Sequence, residues 1–558
     1  MKYLILLTAM LLILAGLRWC LLPHGRLPRF RVRYLRLRLV LRLHPGRGHA
    51  AVGELWLRWG RFAAFRRSGR SRRSLSAWQR IRHPDEHSLL LGRSHYGHCL
   101  RIPVEEHALA MAPPRTRKTG LLARLILRFP GPVVSTTTKA DVFELTSGIR
   151  ARRGPVHVFN PQRIGDMPST FRWNPIDGCA DEAVAIRRAD GFANAVSMTG
   201  TEDASFWTNK ASSYLRGLFH SAALAGGDMR LVARWALGSA EDAEEILAEV
   251  GAVQWALELA ELRGDAHKTA ATIKMVLSRA LAFMTDPTLA QSVMPDGEPG
   301  FDIEAFLAGC GTLYLIAESE HDDSPVAPLF AAMAGEIHHV AAQLGQASPG
   351  GRLDPPLLMA LDEIVQTCPV PLPTWLADSG GKGIQLIPVA HGEAQLRTRW
   401  QKDGAQVVLD TCGVKIWLPG ISDTSTLKMA SDLCGQAAFR ERGQDHHTRH
   451  DVMTPDMIRQ LPVGHALIVR GSYSPVVARV GVAWKDRAYK NARRRGTAIA
   501  ALTPAPEPPD LDQAPPVRPV RPAWPDRPAR PSHLTIVPDH EAAVGLGEDD
   551  DCDDYPWS

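Results

Sequence analysis

The sequence has no closely paired cysteines. Its eight Cys residues stand at positions 20, 99, 179, 310, 368, 412, 434 and 552, and none forms a C-x-x-C pair. This pattern argues against a disulfide framework and a thiolate zinc site, and it is typical of reduced thiols in the cytoplasm. The length of 558 residues also excludes a small stapled fold and allows two or three domains with a large core.

Lysine and acidic residues are nearly absent from the first part of the chain. Residues 18–83 contain eighteen Arg, no Lys and one acid, Glu54. The preceding residues 3–17 carry no charge, although such a run is shorter than the roughly 20 residues of a membrane span. Extended past Arg18, the run predicts a single transmembrane anchor at 1–22, with the body on the positively flanked, cytoplasmic side of the inner or plasma membrane. A removed signal peptide is the alternative.

The basic juxtamembrane segment, 23–83, has two kinds of pattern. Residues 31–43 alternate Arg with apolar residues, as a two-faced strand would, and residues 56–67 interleave aromatic residues with Arg. Contact with anionic lipid headgroups is favoured next to the anchor, and contact with nucleic-acid phosphates stays open for the rest. The plain alternative is a topology signal only.

The last part of the chain has little apolar content to bury. From about Thr503 it is rich in Pro and then acidic, so we predict a disordered tail at 501–558. The acidic end could dock on a basic surface or only keep the chain soluble.

The most informative stretch runs from His107 to Phe129. An apolar run, 108–112, stops at two prolines, passes a basic turn and restarts as a helical pattern with apolar residues on one face. Lys118 and Thr119 stand where the helix begins, and free backbone N–H groups at a helix start favour phosphate. The pattern indicates a P-loop that lacks its usual glycines, because Ala112 and Arg117 occupy those positions.

Further buried strands follow in an α/β order. They are predicted at 131–141, 156–159, 311–318, 357–363, 384–390, 414–418 and 466–470. Residues 201–298 carry helical periodicity and predict an all-α insertion, which divides the nucleotide-binding domain into parts at 84–200 and 299–500. Polar residues after parallel strands place ligands at the carboxyl edge of such a sheet. Asp362 and Glu363 end one of these strands.

Taken in order, these motifs resemble the coupling proteins of conjugative type IV secretion systems (TraG/TraD type). The matching pieces are A-P-P-R-T-R-K-T-G from Ala112, T-T-T-K-A-D from Thr136, W-N-P from Trp173, F-W-x-x-K from Phe206, L-D-E from Leu361, L-A-D-S-G-G-K-G-I-Q-L from Leu376, A-Q-L from Ala394 and T-P-D-M-I-R-Q-L-P-V-G-H-A-L-I from Thr454. The resemblance implies a RecA-like P-loop NTPase core with an inserted all-α domain, a membrane anchor and a hexameric assembly.

The resemblance also implies the site residues. ATP is expected on the loop formed by Ala112, Pro113, Pro114, Arg115, Thr116, Arg117, Lys118 and Thr119, with Lys118 at the β- and γ-phosphates. Thr119 and Asp362 are expected to hold Mg²⁺, Glu363 to act as the catalytic base and Gln395 to act in the sensor helix. His391 stands where the family usually has Gln. Arg117 could add a phosphate contact or fill the space that the β-phosphate needs.

The function implied is a motor ATPase that passes single-stranded DNA with its relaxase, or a secreted protein, to a type IV secretion channel. The missing glycines leave an alternative, a catalytically silent membrane receptor or scaffold. A chromosome-segregation DNA pump would share the core, but the C-terminal motif and the position of the helical insertion disfavour it.

Overall fold

The computed structural model describes residues 43–44, 47–198, 203–264, 267–294, 297, 300–318, 324–440 and 447–502. The predicted anchor at 1–22, the alternating block at 31–43 except its last residue, and nearly all of the predicted tail at 501–558 lie outside these ranges. Within them, no helix has both the length and the apolar character needed to cross a bilayer.

One sheet of eleven strands organises the described part of the chain. Its order is β2-β1-β13-β12-β9-β3-β8-β7-β4-β6-β5. The strands of the structure are β1 Ser88–Ser94, β2 Cys99–Pro103, β3 Ala108–Met111, β4 Val133–Thr137, β5 Val156–Phe159, β6 Thr312–Ile316, β7 Leu357–Leu361, β8 Ile384–Ala390, β9 Val414–Trp417, β10 Gln436–Arg440, β11 His447–Asp451, β12 His465–Arg470 and β13 Val476–Val480. Strands β10 and β11 form a separate antiparallel pair.

The sheet has a parallel part and an antiparallel extension. From β9 through β3, β8, β7, β4 and β6 to β5, every neighbouring pair is parallel. Beyond β9, strands β12, β13, β1 and β2 pair antiparallel. Strands β3, β4, β6, β7 and β8 are buried at every residue, which is why β3 and β7 read as continuous apolar runs.

Helices cover both faces of this sheet. They are α1 Arg61–Ser71, α2 Ala77–Arg82, α3 Lys118–Arg128, α4 Asp141–Arg150, α5 Glu182–Ala195, α6 Ala204–Leu224, α7 Met229–Leu237, α8 Glu241–Glu249, α9 Val253–Gly264, α10 His267–Ala280, α11 Pro287–Gln291, α12 Ile303–Ala308, α13 Ala327–Ala347, α14 Ile364–Thr367, α15 Leu372–Asp378, α16 Glu393–Thr411, α17 Thr424–Cys434, α18 Pro455–Arg459 and α19 Arg487–Arg494. Shorter helical turns occupy Val52–Glu54, Leu55–Trp59, Pro84–Glu86, Ile164–Asp166, Ala282–Thr285 and Ala483–Lys485.

The hydrophobic core is divided by the sheet. In β3, Ala108 and Ala110 belong to one buried cluster, and Leu109 and Met111 belong to the other, because successive side chains of a strand point to opposite faces. Helix α3 packs on the first face. Its apolar stripe of Leu121, Leu122, Leu125 and Ile126 is buried there, as its helical spacing predicts.

The strands predicted within 131–141, 156–159, 311–318, 357–363, 384–390, 414–418 and 466–470 all form. The sequence did not show that the chain continues the sheet after Arg470. Strand β13 follows and pairs with both β12 and β1, so the run from Val476 to Val480 is a sheet strand. One partner, β1, is distant in the sequence, and the other, β12, is connected to β13 by a loop. Periodicity within a segment does not show which strands it pairs with.

A helix also precedes the predicted insertion at 201–298. Helix α5 begins at Glu182, where the side chain of Asp181 accepts hydrogen bonds from the Ala183 and Val184 amides. Within the predicted insertion, α8 and α9 are separate helices, because Gly251 adopts a φ of 86° between them. The α-helices between β5 and β6 thus run from Glu182 to Ala308.

Candidate functional site

The loop between β3 and α3 is set by its two prolines. The amide of Ala112 still donates to Ala390 of the neighbouring β8 at 2.9 Å. Pro113 and Pro114 then have no N–H to continue the ladder, so the strand ends there. The turn is closed by the hydroxyl of Thr116, which donates to the Pro113 carbonyl at 2.7 Å. Helix α3 begins at Lys118, and its first amides lie at the mouth of the loop.

Arg117 takes the backbone conformation that a glycine would take. Its φ of 72° and ψ of 25° lie in the left-handed region, and it stands immediately before α3 as the N-cap. Its side chain turns towards the loop at 463–465, where Nη1 lies 3.2 Å from the position that a Cβ on Gly464 would occupy. The guanidinium lines a cavity of about 370 Å³ with other basic residues, including Arg124 and Arg487. The backbone role of the missing glycine is therefore retained at the cost of strain.

Replacing Arg117 with Gly should stabilise the protein by about 1 kcal/mol, because left-handed φ costs a residue with a Cβ roughly that much. The matched control is Arg163→Gly, an exposed arginine with a φ of 53° outside the loop. Thermal unfolding should show a similar gain for both variants. Only Arg117→Gly should also change the affinity for an ATP analogue. Equal nucleotide affinity in both would show that the glycine position does not limit binding.

Lys118 reaches two acids that follow a neighbouring strand. Strand β7 lies beside β8, which lies beside β3, so the residues after all three strands meet at one edge of the sheet. The Lys118 ammonium forms an ion pair with Glu363 and lies 3.5 Å from Asp362 Oδ1. Both acids are buried, with Asp362 only 3 % exposed. Burial raises the pKa of Asp362 to about 6, and the Lys118 charge opposes that rise.

Glu363 is held in an unusual backbone conformation and keeps one oxygen unused. Its φ is 49°, and it forms the N-cap of α14. Such strain is found at functional sites when the surrounding structure enforces it. Its Oε2 is buried and accepts no hydrogen bond from any residue in the described ranges. A buried carboxylate oxygen without a donor is suited to orient a water or take a proton.

His391, which follows β8, lies beside that oxygen without forming a hydrogen bond to it. Its Nε2 is 3.2 Å from Glu363 Oε2, and its Nδ1 is 3.0 Å from the Ala112 carbonyl, to which it can only donate. Gln395 lies one turn into α16, and its Oε1 accepts a hydrogen bond from the His391 amide at 2.8 Å. Sequence reasoning assigned the sensor role to Gln395; the structure places His391 between Gln395 and the acids. The sequence feature that could have identified His391 is its position as a polar residue directly after a buried strand.

The residues present fit a magnesium ion that also binds phosphate. Asp362 is the buried acid beside Lys118, and Thr119 is partly exposed in the first turn of α3. Mg²⁺ needs only one or two protein ligands of this kind, since phosphate oxygens and waters supply the others. Within the ranges described, no cluster of three His, Cys, Asp or Glu residues offers an all-protein metal cage.

The fold and this loop define an α/β protein with its polar groups at the carboxyl edge of a large sheet, an arrangement that resembles the P-loop NTPase fold. Residues 356–463 match the family model TraG-D_C, described as the TraM recognition site of TraD and TraG. The matched segment contains Asp362, Glu363, His391 and Gln395.

The fold is similar to that of solved conjugative coupling proteins. The unbound monoclinic form of the bacterial conjugative coupling protein TrwBdeltaN70 has a TM-score of 0.52 and 17 % identity, covering 70 % of this chain and 89 % of that one. Its trigonal form in complex with sulphate has a TM-score of 0.50 and 18 % identity, covering 69 % and 88 %. A complex of TrwB with ADP and Mg²⁺ has a TM-score of 0.49 and 18 % identity, covering 69 % and 87 %.

No curated protein sequence matches the chain significantly. The predicted resemblance to conjugative coupling proteins is confirmed, by the family model over one segment and by the fold over most of the chain.

Proposed function

We propose that the chain is a membrane-associated coupling ATPase of a conjugative or type IV secretion system. The observation that carries this proposal is the placement of Lys118 against Asp362 and Glu363, with Glu363 Oε2 buried and without a hydrogen bond from the described residues. A loop lysine, a metal-binding acid and a base are the parts that phosphoryl transfer to water requires.

The roles follow from these positions. Lys118 and the first amides of α3 bind the β- and γ-phosphates, which carry the negative charge that the helix start favours. Mg²⁺, held by Thr119 and Asp362, would neutralise charge on the phosphates. Glu363 orients water and takes its proton through Oε2, and the His391 ring lies 3.2 Å from that oxygen on the side of β8. Lys118 must exchange its contact with Glu363 for the phosphates when the nucleotide enters, which frees the base.

The hydrolysis drives a substrate of single-stranded DNA with its relaxase, or a secreted protein, into the secretion channel. The helices between Glu182 and Gln291 recruit the substrate, and the active assembly is a homo-hexamer. The family model over 356–463 supports a place in conjugation for this chain, since it describes a recognition site in TraD and TraG. The strained Arg117 favours a second candidate, a receptor that binds its substrate without turning over ATP.

The test is ATP hydrolysis by the purified full-length chain in detergent, with Mg²⁺ and with or without a single-stranded oligonucleotide. Turnover that requires Mg²⁺ and rises with the oligonucleotide supports the motor. The chain could instead bind the substrate without any ATP turnover, at protein concentrations that allow assembly. That result would support the receptor hypothesis and contradict the motor hypothesis.

Replacing His391 with Ala should lower turnover about 10- to 100-fold at little change in ATP affinity, because a misplaced base costs rate more than binding. Gln395→Ala is the matched comparison, since Gln395 accepts a hydrogen bond from the His391 backbone amide. Its effect should be smaller. Steady-state kinetics with separate kcat and KM values would check this, and a larger loss in Gln395→Ala would restore the sensor role to Gln395.

A further inference from the structure

The helical segment before the sheet has an unusual outer surface. From Trp56 to Arg82 there are nine Arg and no acid. The same segment exposes five large apolar side chains, which we call the N-terminal apolar surface: Trp56 at 44 %, Leu57 at 53 %, Phe62 at 44 %, Trp78 at 67 % and Ile81 at 54 %. Large apolar residues that gather within one exposed segment usually mark an interaction site.

These side chains are exposed although the segment that carries them also packs against the rest of the protein. The inner side of the same segment is well packed, with Ala63 and Ala64 of α1 buried and Trp59 fully buried. Trp59 lies edge-on to Tyr473 at 6.2 Å, and the Arg470 guanidinium lies 5.2 Å from the centroid of its ring. Residues 55–71 are therefore fixed to the sheet, and the outward side chains of this part of the segment are held outward.

The exposed aromatic rings are paired with each other or with arginines. Trp56 stacks on Phe62 with ring centroids 5.2 Å apart. Arg66 lies 6.0 Å from the Phe62 ring, and Arg82 lies 6.0 Å from the Trp78 ring. Arg61, Arg66, Arg70, Arg73 and Arg82 are all exposed. Aromatic rings beside cationic side chains are the composition of proteins that rest at the water–lipid boundary.

The aliphatic members favour lipid over nucleic acid. Exposed arginine binds phosphate in either partner, and aromatic rings could stack on bases. Leu57 and Ile81 gain from hydrocarbon but have no comparable partner in a polynucleotide. The uncharged run at 3–17 also precedes this segment by about 40 residues, so a bilayer that takes up that run lies within reach.

We propose that the N-terminal apolar surface docks on an anionic bilayer. The rings of Trp56, Phe62 and Trp78 enter the headgroup level, Leu57 and Ile81 enter the edge of the acyl region, and the exposed arginines pair with lipid phosphates. The docking fixes the orientation of the nucleotide-binding sheet relative to the membrane. It does not depend on ATP hydrolysis and is tested without it.

The experiment uses the full-length chain reconstituted into vesicles of phosphatidylcholine, with or without about 30 % phosphatidylglycerol. A photoactivatable lipid in the vesicles is crosslinked to the protein, and the labelled peptides are mapped by mass spectrometry. Peptides that contain Trp56–Phe62 and Trp78–Ile81 should carry lipid adducts, with yields about fivefold higher in the anionic vesicles. Peptides around Leu237, Leu257 and Ile499, which are equally exposed, are the controls.

Two variants sharpen the result. Trp78→Ser replaces a side chain that is 67 % exposed, so the fold should persist, while adducts at Ile81 should fall several-fold. Arg66→Gln combined with Arg70→Gln should remove most of the preference for anionic vesicles. Labelling no greater than at the control peptides overturns the proposal. So does protection of these peptides by a single-stranded oligonucleotide in the absence of lipid adducts, which would make this a nucleic-acid surface.

Discussion

Replacing Lys118 with alanine is expected to abolish ATP hydrolysis, with a loss of at least about 100-fold. Lys118 is the one charged side chain that both begins α3 and reaches Asp362 and Glu363. Removal of a single preorganised donor from developing transition-state charge costs about this much. The variant also leaves two buried acids without their cation, so Asp362 should bind its proton more tightly. Turnover is measured at saturating ATP, beside binding of a non-hydrolysed analogue.

Lys428→Ala is the control for this prediction, because Lys428 is exposed on α17 and its loss removes the same charge elsewhere. It should turn over ATP as the unchanged chain does. Circular dichroism should show the same helix content in both variants. Unimpaired hydrolysis by Lys118→Ala would mean that another residue binds the phosphates, and the assignment of the loop would fail.

Glu363→Gln should reduce hydrolysis by about 10²- to 10⁴-fold and leave ATP bound, because an amide of the same size cannot take the proton. Binding should be equal or tighter, since Lys118 no longer has to leave the Glu363 carboxylate. Single-turnover kinetics would separate chemistry from binding and release. The variant is expected to form a stable complex with ATP, so it should accumulate in the ATP-bound, assembled state.

Glu144→Gln provides the matched control, being an exposed glutamate in α4. The double variant Lys118→Ala with Glu363→Gln should be no slower than Lys118→Ala alone, since residues that act as a unit are not additive. Normal ATP hydrolysis by the Glu363→Gln protein would show that another residue of the site acts as the base.

The sequence contained enough to place the central strands and the phosphate-binding helix. Strand β8 has the bounds that the sequence predicts, because a strand buried on both faces leaves a largely apolar signal. Asp362 and Glu363 were identified because they follow a buried strand. Lys118 was identified because it follows the turn at the start of a helix. These patterns depend only on residues that are close together in the sequence, so a single sequence is enough to recognise them.

The tertiary structure decided what local patterns do not carry. Strand β13 and the antiparallel extension depend on partners that lie far apart in the sequence. His391 was visible as a residue, but its contact with Glu363 arises only because β8 lies between β3 and β7 in the sheet. Sequence order and spatial order differ there, so the side chains that meet at the site are known only once the strands are arranged.

Arg117 shows both contributions. The sequence by itself determined that a residue with a Cβ stands where a P-loop has glycine. Only the folded backbone decided that this residue adopts the left-handed conformation and sends its side chain to Gly464. The physical reason is that dihedral strain is a property of one residue whose cost is offset by the packing of many others, and that packing exists only in the folded chain.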